Sequence, residues 1–159
     1  MIVPVSDIQV RAITAEETRP LRHAVLRPGQ SFEQTVYSRD DHPETVHLGA
    51  FDGHRLVAIA SLYREARPHR ATRAAWRLRG MATDADEQGR GLATVVLDAS
   101  VAHVAAEGGG ELWCNARVPA LGFYLRCGFE VDGDEFEIDG IGPHVVVTRM
   151  VDPTADATG

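Results

Sequence analysis

The run Gln88-Gly89-Arg90-Gly91-Leu92-Ala93 holds the residue types best suited to chemistry. Glycine at 89 and 91 removes two Cβ atoms, so backbone N–H groups there can approach a phosphate closely. A periodic apolar stretch begins at Leu92, and the first amides of a helix are unpaired and sit at the positive end of its dipole. Strand, glycine loop and helix N-terminus together make a pyrophosphate cradle, to which Arg90 can add a charge-assisted contact. A nucleoside-triphosphate P-loop needs Gly-Lys-Ser/Thr, and this chain has no lysine: all 16 basic residues are arginine. A dinucleotide turn wants a third glycine where Thr94 stands, and an acid closing the next strand where Glu111 instead opens it. Taken alone, a short glycine motif also fits a loop that only turns the chain.

Other side chains could move protons. Glu137, His47 and His144 are candidates for a general base, because they fall on strands or at a hairpin; each also reads as a solvated carboxylate or a hydrogen-bonded structural histidine. Ordered water could equally deprotonate an amine, so no dedicated base is required. Cys114 and Cys127 read as small apolar packing residues rather than nucleophiles or metal ligands, and no Cys/His spacing suggests a metal site.

The elements that must position these residues follow from periodicity and turn chemistry. Residues 8–13 alternate as a half-buried strand, and Thr14 with Glu17 forms a capping box ahead of a helix carrying Leu21, Ala24 and Val25. Residues 30–44 are polar and irregular. Asp52-Gly53 joins two strand-like runs, 45–51 and 55–63, into a hairpin. Residues 74–83 form a strand, 84–91 a polar loop, and 92–106 a helix with Leu92, Val95, Val96, Ala99 and Ala102 on one stripe, stopped at Gly108-Gly109-Gly110. A short strand over 111–115, a helix over 119–126 and strands near 129–131, 136–138 and 145–150 complete the chain. The order gives a mixed α/β sheet and not a regular βαβ array.

At 159 residues, with 44% hydrophobic and 25% charged composition, the chain suits one ordinary domain, expected over residues 1–151 with a flexible tail over 152–159. No stretch approaches the roughly 20 apolar residues of a membrane span, and the first seven residues lack the pattern of an export signal, so a cytoplasmic protein that binds no membrane is expected. A net charge of -7 argues against a general nucleic-acid binder. Seven arginines fall between Arg64 and Arg90, while from Glu130 onward Arg149 alone faces eight acids. The basic middle could serve an anionic cofactor and the acidic end a cationic substrate, or both are solvated faces.

Gln88-x-x-Gly91-x-Ala93 resembles the acyl-CoA signature, Gln/Arg-x-x-Gly-x-Gly/Ala, of the GNAT superfamily of N-acetyltransferases. Residues 78–83 resemble that family's bulged fourth strand, and residues 120–129 its Ala-x-x-Phe-Tyr-x-x-x-Gly-Phe segment, with the order of elements fitting from about residue 8 to 151. The resemblance implies an α+β fold with a mostly antiparallel, twisted central sheet flanked by helices. It implies acetyl-CoA as co-substrate, no metal, and direct acetyl transfer to the amine of a small-molecule or peptide acceptor. A homodimer is a common assembly in the family.

By the same resemblance, the Met81 backbone amide polarises the thioester carbonyl. Ala82 and Thr83 pair with the pantetheine arm, and Gln88, Gly89, Arg90, Gly91, Leu92 and Ala93 hold the pyrophosphate. Tyr124 is the general acid that protonates the leaving thiolate; its other reading is an amphipathic core residue. Many members place an asparagine seven residues before that tyrosine; here Arg117 stands there, and Asn115 either contacts the cofactor or satisfies a strand end. A GNAT fold that senses acyl-CoA without turnover is the alternative function.

Overall fold

The computed structural model describes residues 7–68, 70 and 74–154; Arg73, the export-signal reading of the first six residues and the end of the expected tail lie outside them. The described chain is a mixed α/β protein with an open, mostly antiparallel sheet and flanking helices. Its eight strands are β1 (Ile8–Ile13), β2 (Val46–Asp52), β3 (Arg55–Arg64), β4 (Ala75–Thr83), β5 (Gly110–Arg117), β6 (Glu130–Val131), β7 (Phe136–Ile138) and β8 (Gly142–Val151). The hydrogen-bonded order is β1-β2-β3-β4-β5-β8-β6, with β7 also on β8; β4 and β5 run parallel over Ala75–Arg77 and Glu111–Trp113. The helices are α1 (Ala15–Leu21), α2 (Leu92–Ala106) and α3 (Leu121–Arg126).

The chain divides into two compact units, Met1–Tyr63 with Leu78–Val101, and Arg64–Arg77 with Ala102–Gly159. In the first, Thr14 and Glu17 close the capping box in both directions, each bond 3.1 Å long. Past Leu21 the helix widens into a π-turn over Arg22–Leu26, and Ala24 faces solvent rather than the core. Ile13, Leu21, Phe51, Ile59 and Ala82 form a core cluster with Val25, Leu26 and Leu56 against it. Asp52-Gly53 makes the expected hairpin turn, Gly53 at φ +60°. Helix α2 keeps the sequence-derived bounds; its Leu92, Val96 and Leu97 are buried to 1% exposure or less, each contributing about 1.5–3 kcal/mol.

In the second unit β5 and β8 are longer than their sequence patterns, because they pair residue for residue from Gly110–Val151 to Arg117–His144. Pro119 lies in a 3-10 turn over Val118–Ala120, so α3 starts at Leu121 and not at 119. Proline lacks the N–H of a helix interior and suits this first turn.

Candidate active site

Strand β4 and the glycine loop after it contain three left-handed glycines, Gly80, Gly89 and Gly91. Gly80 has φ +66° in mid-strand, a left-handed backbone that favours glycine, and a Cβ there would stand tight against Arg22 Nε at 3.3 Å and in contact with Tyr37 Cε2 at 3.4 Å. It directly precedes Met81, which is half-buried; Ala82 is buried and Thr83 half-buried. Gly89 (φ +85°) and Gly91 (φ +75°) have no heavy atom within 4 Å of an ideal Cβ, which leaves their backbone open to a close ligand.

Asp84 fixes the start of the loop. Its N–H donates to Val57 O at 2.8 Å, and its carboxylate accepts from Asp86 N at 2.9 Å to cap the short turn Ala85–Glu87. The first α2 bond runs from Val95 N to Gly91 O, so the amides of Leu92, Ala93 and Thr94 precede the intrahelical ladder. Arg90, expected at a phosphate, bonds to Glu87 and reaches Asp52 at 3.2 Å, tying the loop to the β2–β3 turn; Gln88 is exposed.

In the second unit, Tyr124 of α3 is buried among Phe123 and Phe129, with ring centroids 5.2 and 5.5 Å away. Burial raises the Tyr124 hydroxyl well above its ordinary range, and its hydrogen bond to the Cys114 sulfur adds to that. Burial pushes the Cys114 thiol up to about 12, so it is a protonated packing residue at neutral pH and no nucleophile. Asn115 sits inside β5 opposite Val146 and not at its end; Arg117, at the position of the family's asparagine, closes the strand.

The three base candidates differ sharply. Glu137 is exposed on β7. His47 is buried with both nitrogens engaged: Nε2 lies 3.0 Å from Asp40 O and Nδ1 2.7 Å from Ser61 Oγ. A carbonyl only accepts, so Nε2 carries the proton and Nδ1 accepts from the serine. His144 Nδ1 must likewise donate to Gly142 O at 2.7 Å, which puts the lone pair of the neutral ring on Nε2.

Sequence reading missed the polar cluster behind Gly80. Arg22, fully buried, donates to Asp40 (2.7 and 3.1 Å), Thr35 O (2.9 Å), Ser61 Oγ (2.9 Å) and Tyr63 Oη (3.2 Å). Tyr63 Oη donates to Asp40 at 2.6 Å. Burial would raise the Asp40 carboxyl, yet the bonds from Arg22, Tyr63 and the Tyr37 N–H outweigh it and hold the carboxyl below its usual value. The available signal was weak: Arg22 lies four residues after Thr18, on the buried face of the first helix.

At the acid-rich end Glu130, Asp134, Glu135, Glu137 and Asp139 are exposed, while Asp132 is paired. Asp132 bonds to Arg67 and Arg70, and Arg67 also reaches Glu111 at 3.1 Å. The hydrogen bond from Arg67 lowers the Asp132 carboxyl from its ordinary value.

The family model for the acetyltransferase (GNAT) domain matches residues 9–146. The chain belongs to the GNAT family. Within that family, it is 36% identical over 144 residues to the uncharacterized N-acetyltransferase YitI of Bacillus subtilis, covering 91% of this chain and 97% of that protein. The GNAT fold is shared with the ribosomal-protein-S18-alanine N-acetyltransferase of Escherichia coli, at TM-score 0.72 and 13% identity over 96% of this chain and 99% of that one. It is also shared with an aminoglycoside 6'-N-acetyltransferase complexed with coenzyme A, at TM-score 0.69 and 12% identity, over 93% and 99% of the two chains. Among the described residues of this GNAT chain no helix is long and apolar enough to cross a membrane. Nor does any group of three or more His, Cys, Asp or Glu there suit a metal ion.

Proposed function

We propose that the chain transfers an acetyl group from acetyl-CoA directly to the amine of a small-molecule or peptide acceptor. One observation carries the reading: in a GNAT chain, a strand with a left-handed glycine before Met81 runs through an open glycine loop into a helix N-terminus. A relative of the same fold has been crystallised with coenzyme A.

In this reading the Met81 N–H donates to the thioester carbonyl and holds the negative charge that develops on its oxygen. The backbones of Ala82 and Thr83 pair with the pantetheine arm. Gln88 and the amides of Gly89, Gly91, Leu92 and Ala93 receive the pyrophosphate, whose negative charge the helix end favours. Arg90 holds the loop in place through Glu87 and Asp52. Asn115 contributes a hydrogen bond to the same ligand.

Acetyl-CoA supplies the activated acyl group. Tyr124, protonated at neutral pH, delivers a proton to the departing thiolate. A neutral acceptor amine attacks, and its surplus proton leaves through water or a base; of the three candidates, His144 has a hydrogen bond that leaves it a basic nitrogen. The test is steady-state release of CoA thiol with acetyl-CoA and a panel of primary amines. Amine-dependent release is expected. Tight acetyl-CoA binding with no release for any amine would mark a sensor instead.

A further inference from the structure

Three uncommon features meet one residue before Met81. The first helix widens into a π-turn at Arg22–Leu26, Arg22 is fully buried, and Gly80 takes a left-handed backbone in mid-strand. Both terminal nitrogens of the Arg22 guanidinium are locked. Nη1 donates to Asp40 Oδ2 and Thr35 O, and Nη2 to Asp40 Oδ1, Ser61 Oγ and Tyr63 Oη. Arg22 Cζ lies 4.0 Å from the Tyr37 ring centroid, and the Tyr37 N–H donates to Asp40 Oδ2 at 3.0 Å. Ring, carboxylate and guanidinium therefore hold one another. What remains is Nε, a buried donor with no hydrogen-bond partner, and it is the atom nearest the place of a Gly80 Cβ. Arg79, the residue before Gly80, also stands 4.0 Å from the Tyr37 centroid. Strand β4 thus meets this locked block at two consecutive residues.

A buried ion pair is a weak source of stability, because desolvation offsets much of its attraction. An apolar side chain would pack behind the strand without leaving an orphan donor. A planar guanidinium held through its fork supplies a fixed position instead. We propose that Arg22 is a positioning residue of the acyl-transfer site. Its locked guanidinium is the stop on which Gly80 makes its left-handed turn, and that turn aims the Met81 N–H at the thioester carbonyl. This rests on the transferase reading above, which gives that N–H to the carbonyl oxygen. Negative charge develops on the oxygen only as the amine attacks. An N–H out of line therefore weakens the transition state more than it weakens acetyl-CoA binding. Arg22 itself touches neither acetyl-CoA nor the acceptor and acts through Gly80.

Arg22→Lys keeps a cation for Asp40 but has no planar fork to hold against Gly80. If it does not fold, Arg22→Met with Asp40→Asn removes both charges together and leaves an amide oxygen for the Tyr37 N–H. Two readouts are taken on folded protein saturated with acetyl-CoA. One is kcat with an accepted amine; the other is the infrared carbonyl stretch of acetyl-CoA isotopically labelled at the acetyl carbonyl carbon. In the wild type the bound carbonyl should stretch at a lower frequency than in free acetyl-CoA, because it accepts a hydrogen bond. In the variant the stretch should return toward the free value while KM for acetyl-CoA holds. Its kcat should fall about 10- to 100-fold, at or below the roughly 10²–10³-fold cost of removing an oxyanion donor outright. Val104→Ala, a truncation of a fully buried α2 residue, controls for lost stability and should move neither readout. Wild-type stretch and kcat in the folded variant overturn the proposal, and so do equal losses in Val104→Ala. No lowered stretch in the wild type removes Met81 from the carbonyl and defeats the proposal with it. A lowered stretch that the variant loses, in a protein that releases CoA with no amine, supports the positioning by Arg22 and defeats the transferase reading alone.

Discussion

Tyr124 keeps its proton because it is buried against Phe123, Phe129 and the Cys114 sulfur. A raised hydroxyl pKa means that the acid form persists as pH rises, so kcat should show no downward alkaline limb from this group below about pH 10. Tyr124→Phe retains the ring and removes one hydrogen bond. Turnover should fall by about 10²–10⁴-fold, while stability changes by about 1 kcal/mol or less. Cys127→Ala, three residues on, serves as a control and should leave kcat nearly unchanged. Full kcat in Tyr124→Phe with chemistry rate-limiting would remove the tyrosine from the mechanism. Tyr124 was marked by a motif. Arg22 was not: an arginine after Leu21 in an amphipathic helix reads as solvated, and its partners Asp40, Ser61 and Tyr63 lie 18 to 41 residues away. Asp40 is likewise indistinguishable in sequence from its exposed neighbour Asp41.

Local signals fixed the elements wherever the chemistry is local. The capping box at Thr14, the Asp52-Gly53 turn and both ends of α2 depend on residues within a few positions of one another, and the structure keeps them as read. The ends of β5 and β8 depend on each other across the sheet, and the π-turn at Arg22–Leu26 contains the arginine that bonds Asp40; neither leaves a trace in a short window. The glycine loop permits a direct test at this scale. At Gly91 a Cβ meets nothing within 4 Å, so Gly91→Ala costs the free protein only its left-handed backbone, about 1–2 kcal/mol. Calorimetric titration with CoA should show affinity reduced about 10- to 100-fold, the loss of a charged hydrogen bond to the pyrophosphate. Unchanged affinity in a folded variant would move the cofactor away from this loop.

Across the whole molecule, arginine carries all the positive charge, and much of it is spent internally: Arg22 on Asp40, Arg67 on Glu111 and Asp132, Arg64 over Trp76, Arg77 over Trp113. Composition revealed the asymmetry of charge but not this pairing, which is a property of the fold. Stability should follow pH through Asp40. Its folded pKa lies below the unfolded value, so its contribution is complete above about pH 4 and is lost as pH falls through the lower, folded value. Urea midpoints should hold from pH 7 to 5 and drop below about pH 4, a drop that Asp40→Asn should flatten. Arg22→Ala, which leaves Asp40 buried without its cation, should cost about 3–5 kcal/mol at pH 7. Direct acetyl transfer to an amine is tested most squarely by tracing acetyl-CoA labelled at the acetyl carbonyl carbon. The label should appear as an amide on the acceptor, with intersecting initial-rate lines and no labelled protein. Label retained in the thioester, or carried on the protein before the acceptor is added, would contradict it.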